Sequence, residues 1–125
     1  MHNFFKTDEI SITMAGASTA ASDLNTIDGK TATAITATAI TELTGNASDV
    51  KTALASSGIT TVTDGSLNVT VSGSTSVADI NTINSDSATG VVTVAATEQD
   101  AATLTGLTTT STDEISITMA GASTA

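Results

Sequence analysis

The chain has no cysteine, proline, tryptophan, tyrosine or arginine. Each absence closes a class of function. Without cysteine there is no disulfide framework and no thiolate site for zinc or an iron–sulfur cluster. Three lysines stand against 13 acidic residues, and the formal charge of −10 suits no surface that tracks a phosphate backbone. The two aromatic residues, Phe4 and Phe5, lie together near the N-terminus and make no platform for stacking bases. No apolar run approaches the ~20 residues of a membrane-crossing helix. Residues 1–25 carry no apolar stretch of the kind found in a signal peptide. The only histidine, His2, sits in the opening segment, so the remainder holds no Ser–His–Asp triad. The expectation is a non-enzyme with neither nucleic acid nor a membrane interior as partner.

What the chain does have is threonine, 28 of 125 residues, and a slightly positive mean hydropathy of +0.23. Leu, Ile, Val and Phe supply only about a fifth of the sequence. A compact globule needs large apolar side chains to offset the entropy of ordering. A stack of thin repeats needs fewer, because each layer buries its few apolar residues against the next.

The sequence does repeat. Residues 7–20, from Thr7 to Ala20, recur without change as residues 112–125, a period of 105. Residues 1–6 match nothing later and read as a leader or a vector-derived remnant. Residues 7–111 then form one period, and 112–125 begin the next. A finer pattern, Asp-apolar-x-Thr followed by an apolar residue, starts at Asp23, Asp49, Asp79 and Asp100. It divides the period into four segments of about 26 residues, within the range of stacked repeats.

Each segment opens on alternating apolar residues, as at Ile10/Ile12/Met14, Leu67/Val69/Val71 and Ile115/Ile117/Met119. A short helical stretch follows, with apolar residues at helical spacing in Leu24/Ile27, Val50/Leu54 and Val77/Ile80/Ile83. Asn46 and Ser76 stand where an N-cap belongs, and Gly29 and Gly58 where a left-handed C-terminal residue belongs. The chain returns as strand over 31–40, 59–63, 91–96 or 107–112, and Asp64-Gly65 carries a hairpin signal. The expected fold is a β-rich solenoid with one short helix per coil of about 26 residues, either α/β or wholly β.

Few motifs carry chemistry. Ser48-x-x-Lys51 lacks the companion boxes of penicillin-recognising enzymes. Asp28-Gly29-Lys30-Thr31 ends like a phosphate loop, but Leu24 stands where the first glycine would be. Asp28, Asp64, Asp86 and Asp113 lie at predicted turns, where stacked segments could gather hard oxygens for calcium, the one ion considered. The same residues are also plain turn formers. Thr31-x-Thr33, Thr36-x-Thr38 and Thr108-x-Thr110 place hydroxyls on one strand face, in the manner of ice-binding surfaces or of ordinary solvated sheet. Asn46-x-Ser48 and Asn68-x-Thr70 are glycosylation sequons.

Residues 76–84 and 89–94, Ser-Val-Ala-Asp-Ile-Asn-Thr-Ile-Asn and Thr-Gly-Val-Val-Thr-Val, resemble repeats of very long bacterial surface proteins of the adhesin or surface-layer type. The resemblance implies a structural role outside the cell, in a fibre, stalk or surface array. The repeat adds a mechanism. Strands 10–14 and 115–119 are identical, so one can take the other's place by β-strand addition. The expected partner is a second copy, met head to tail through Ile10, Ile12, Met14, Ile115, Ile117 and Met119. The alternative is a calcium-, carbohydrate- or ice-binding surface module. No cofactor other than calcium is expected.

Overall fold

The computed structural model describes residues 8–86, 88–97 and 100–118. Helices start where side chains cap them. Asn46 Oδ1 accepts the Asp49 N–H at 2.8 Å and opens α2 (Ala47–Ala55). The Ser76 hydroxyl accepts the Asp79 N–H at 3.2 Å and opens α3 (Val77–Asn84). Asp100 Oδ2 accepts the Thr103 N–H at 2.8 Å and opens the four-residue α4 (Ala101–Leu104). Such caps satisfy amide groups that the first turn leaves without partners. The first helix, α1 (Ala21–Asp28), begins at Ala20 with no side-chain cap. Three of the helices bury residues three apart: Ala21 and Leu24, Val50 and Ala53, then Val77, Ile80 and Ile83. α4 buries none. Among the described residues, no helix is long and apolar enough to cross a membrane.

These helices are crossovers between parallel strands, the connection that parallel pairing requires. β1 (Ala17–Ala20), β3 (Ile40–Asn46), β5 (Leu67–Thr75), β6 (Thr89–Ala96) and β7 (Glu114–Ser116) form one five-stranded sheet in that order, every pair parallel. β2 (Ile35–Thr36) and β4 (Ile59–Thr60) form a separate parallel pair. Register sets the two faces of the large sheet. Leu43, Val69 and Val92 align across β3, β5 and β6 and are buried, packing with Leu24, Val50 and Ile80 in one core. One residue on, Thr44, Thr70 and Thr93 align on the opposite face, in line with Glu114. Burial of each large aliphatic side chain stabilises by about 1.5–3 kcal/mol.

The fold class expected from sequence is therefore corrected. The chain is a small α/β domain, with a five-stranded parallel sheet and four helices among the described residues, not a β-rich solenoid, and neither the solenoid nor the tandem-repeat filament description applies. The segments are unequal. The strands of the large sheet have four, seven, nine, eight and three residues, and α4 is half the length of α1. The return stretches fare unequally: 91–96 lies wholly within β6, whereas of 31–40 only Ile35–Thr36 pairs before β3, of 59–63 only Ile59–Thr60, and 107–112 forms no strand. Threonine and alanine there supply too few apolar anchors to extend the pairing. The alternating stretch 10–14 is not a strand, and its one bridge joins Thr13 to Thr36.

Smaller expectations change as well. Gly29 is right-handed, with φ of −71°. Gly65 does take a left-handed conformation, φ +76°, but its turn leads from β4 into β5 of the other sheet rather than closing a hairpin. Gly58 is not left-handed either; a Cβ there would push the Asp28 carboxylate aside.

Candidate functional site

The two copies of the repeated segment lie at opposite ends of the molecule, and they are held differently. The first copy runs beside residues 31–36. Thr31, 1% exposed, is its anchor. The Thr31 hydroxyl accepts the Ile10 N–H at 3.0 Å and donates to the Ile10 carbonyl at 2.7 Å. It also accepts the Thr33 N–H at 3.1 Å. The Asp8 carbonyl accepts the Ala32 N–H, the Ile12 carbonyl accepts the Thr36 N–H, and the Met14 N–H donates to the Thr36 carbonyl. Ile12 and Met14 pack against the core, whereas Ile10 is 54% exposed. Ala17 then turns the chain through a positive φ of 106°, and β1 follows.

The described part of the second copy lies beside β6. Glu114, Ile115 and Ser116 pair with Thr93, Val94 and Ala95. Ahead of them, the Asp113 carboxylate spans two segments: Oδ1 accepts the Val92 N–H at 3.0 Å, and Oδ2 accepts the Thr110 N–H at 2.9 Å. Ile115 packs against the core, and Ile117 is 42% exposed. Met119 lies outside the described residues, as do the leader residues 1–6. Of the residues named for self-association, Ile10, Ile12 and Met14 lie beside residues 31–36, and Ile115 and Ile117 lie in and just after β7; the sequence reading treated the two sets as equivalent. Ile10 and its twin Ile115 have different surroundings, and so do Ile12 and Ile117.

β1 and β7 are the outer strands of the large sheet. Outer strands present N–H and C=O groups that another strand can pair with. Near the β1 side, Glu42 sits on the outer face between two hydroxyls. Ser18 donates to its Oε2 at 2.8 Å and Thr70 to its Oε1 at 3.0 Å. This carboxylate ties β1, β3 and β5 together. Glu42 did not stand out in the sequence, and Thr31 did so only in other patterns, because the partners seen here are more than 20 residues away.

The four turn aspartates are each engaged within the protein, Asp64 and Asp86 locally and Asp28 and Asp113 across the fold. Asp28 Oδ2 accepts the Ser56 hydroxyl at 2.8 Å. Asp64 Oδ1 accepts the Ser66 N–H at 3.0 Å, and Asp86 Oδ1 the Ala88 N–H at 2.9 Å. Asp113 is used as described above. The Ser66 hydroxyl and then its N–H hold the exposed Asp64 carboxyl below its ordinary pKa. The Thr103 N–H and then its hydroxyl do the same for Asp100. Among the described residues, no group of three or more His, Cys, Asp or Glu is placed to hold a metal ion.

Two further features were not foreseen. Lys51 Nζ lies 2.6 Å from Asp79 Oδ1 and joins α2 to α3 at the surface. An open depression of about 300 Å³ lies between Leu54, Ile59, Val62 and Ala88, with Asp86 at its rim. No protein-family model matches the chain, and no curated protein and no solved structure matches it either.

Proposed function

We propose that this chain is a structural module of an extracellular or cell-surface assembly, and that it joins further copies head to tail through the two copies of its repeated segment. One observation carries the reading: residues 7–20 recur unchanged as 112–125, and residues 114–116 of the second copy are seated on β6 as an outer strand of the parallel sheet. A segment able to pair with β6 is thus present twice in every molecule. Composition supports the reading, since a net charge of −10 keeps such a module soluble until a specific contact forms.

Light scattering and negative-stain microscopy over a concentration series test it, with and without EDTA. Oligomers that grow with concentration support the proposal. A single monomeric species throughout the series, even well above millimolar concentration, overturns it. Oligomers that dissolve in EDTA bring calcium in as a bridge between copies.

A second reading is favoured by the alignment of Thr44, Thr70 and Thr93 on the outer face. Neighbouring strands lie about 4.7–4.9 Å apart, so this is a regular hydroxyl row. It makes the sheet face a binding surface for ordered water or ice. Thermal hysteresis of ice growth, lost in Thr70→Leu, is the measurement that separates this reading from the first.

A further inference from the structure

We propose that β7 is an intramolecular plug: it fills, on β6, the seat that residues 8–11 of a second copy would take, so association proceeds by strand exchange. The inference rests on the head-to-tail reading and adds its regulation. The occupant is specified by sequence identity. Asp8, Glu9, Ile10 and Ser11 repeat as Asp113, Glu114, Ile115 and Ser116, with the same neighbours on both sides from residue 7 to residue 20. An incoming copy therefore offers every group that the seat uses. Its Asp8 can take the Val92 and Thr110 N–H groups now held by Asp113. Its residues 9–11 can pair with residues 93–95, as β7 does. Its Ile10 can fill the place of Ile115.

The donor segment is arranged for this. In its own molecule Ile10 is 54% exposed, and residues 8–10 are tied chiefly to the Thr31 hydroxyl and the Ala32 N–H. Residues 12–14 have a separate anchorage on Thr36. A short stretch can leave Thr31 while the anchorage that follows it stays in place. One continuous segment then spans two molecules.

Because the competing strands are identical, their contacts with β6 are matched, and the difference is connectivity. A tethered segment has an effective concentration on the order of millimolar. The plug therefore wins at ordinary protein concentrations, and a copy in trans wins only when the plug is weakened or protein is very concentrated.

The test uses the full-length chain and a fluorescent 14-residue peptide with the sequence of residues 7–20. Ile115→Asp weakens the plug and leaves β6 unchanged. We expect it to capture the peptide about tenfold or more tightly than the parent chain. It should also self-associate at lower concentration, and Ile10→Asp added to it should abolish self-association while leaving peptide capture. A second variant guards against misfolding of the first. Ala95 and Ser116 are register partners in a chain without cysteine. Ala95→Cys with Ser116→Cys, oxidised, locks the plug; capture should vanish and return on reduction.

Peptide capture unchanged by both the loosened and the locked plug overturns the proposal. Equal capture of a scrambled peptide also overturns it, since the edge would then be accepting any strand. Capture by Ile115→Asp with no self-association of any variant upholds the plug and overturns the head-to-tail reading alone.

Discussion

The two copies of the repeated segment offer a controlled comparison, because sequence is held constant and only the surroundings change. In the first copy, Ile12 packs inward and Ile10 faces solvent. In the second, Ile115 packs inward and Ile117 faces solvent. The anchors are exchanged as well. The first copy is held through its backbone by a hydroxyl that belongs to Thr31. The second is held through its own Asp113 carboxylate, which reaches the backbone of Val92 and Thr110. Residues that follow the first copy in sequence seat it, whereas residues that precede the second copy seat that one. An alternating apolar pattern thus marks a segment that can be half-buried, and the surface it meets decides which half.

The largest effect expected from breaking this comparison is at Thr31. Thr31→Val keeps the shape and strips the first copy of its anchor, leaving the Ile10 and Thr33 amides without that acceptor. It should cost about 2–3 kcal/mol of stability in a urea titration. An unchanged midpoint would show that the Thr31 bonds are incidental to the seat. Next in size is the pair of exchanged isoleucines. Ile12→Ala should cost about 1–2 kcal/mol, less than a fully buried isoleucine, while its twin Ile117→Ala should stay within about 0.5 kcal/mol. Equal losses would mean that the two seats are equivalent after all.

Ala17 offers a gain. Its φ of 106° is one that a residue with a Cβ rarely adopts. Ala17→Gly should stabilise by about 1 kcal/mol, read as a rise in melting temperature.

The smallest effect concerns acid. Asp100 caps α4, and its carboxyl lies below its ordinary pKa because the Thr103 N–H and hydroxyl favour the charged form. A depressed carboxyl contributes above its unfolded value and loses that contribution as pH falls through the lower folded value. Hydrogen exchange at the Thr103 amide should therefore hold steady through neutral pH and lose protection only in the acid range. Lost protection near neutrality would sink this account.

Local signals were legible in the sequence. The caps at Asn46 and Ser76, and the helical spacing of Val77, Ile80 and Ile83, depend on residues three or four apart. The long-range partners were not legible. Nothing near Thr31 announces that its hydroxyl will hold Ile10, and nothing near Glu42 announces Ser18 and Thr70. The solenoid expectation failed for a related reason. It read similar strings as equivalent layers, while their unequal supply of apolar residues gives strands from two to nine residues long. The recurrence of the segment was visible, but the two different seats of its copies were not. The turn aspartates illustrate the same limit, since Asp28 and Asp113 reach Ser56 and Val92 across the fold and are not simple local turn residues.

Every pairing in the large sheet is parallel, and this gives the molecule a direction. Its two rims are unlike: β1 and β7 differ in length, in sequence and in what supports them. A neighbour that extends the sheet with its strands running the same way meets the first molecule through unlike rims, whatever rotation the sheet twist adds. A neighbour related by a two-fold turn would run its strands the opposite way at the shared rim. Contacts between unlike patches close into a ring only when the rotation between copies permits it. The sheet's single strand direction therefore bears on the symmetry of any assembly before a single side chain at the contact is considered.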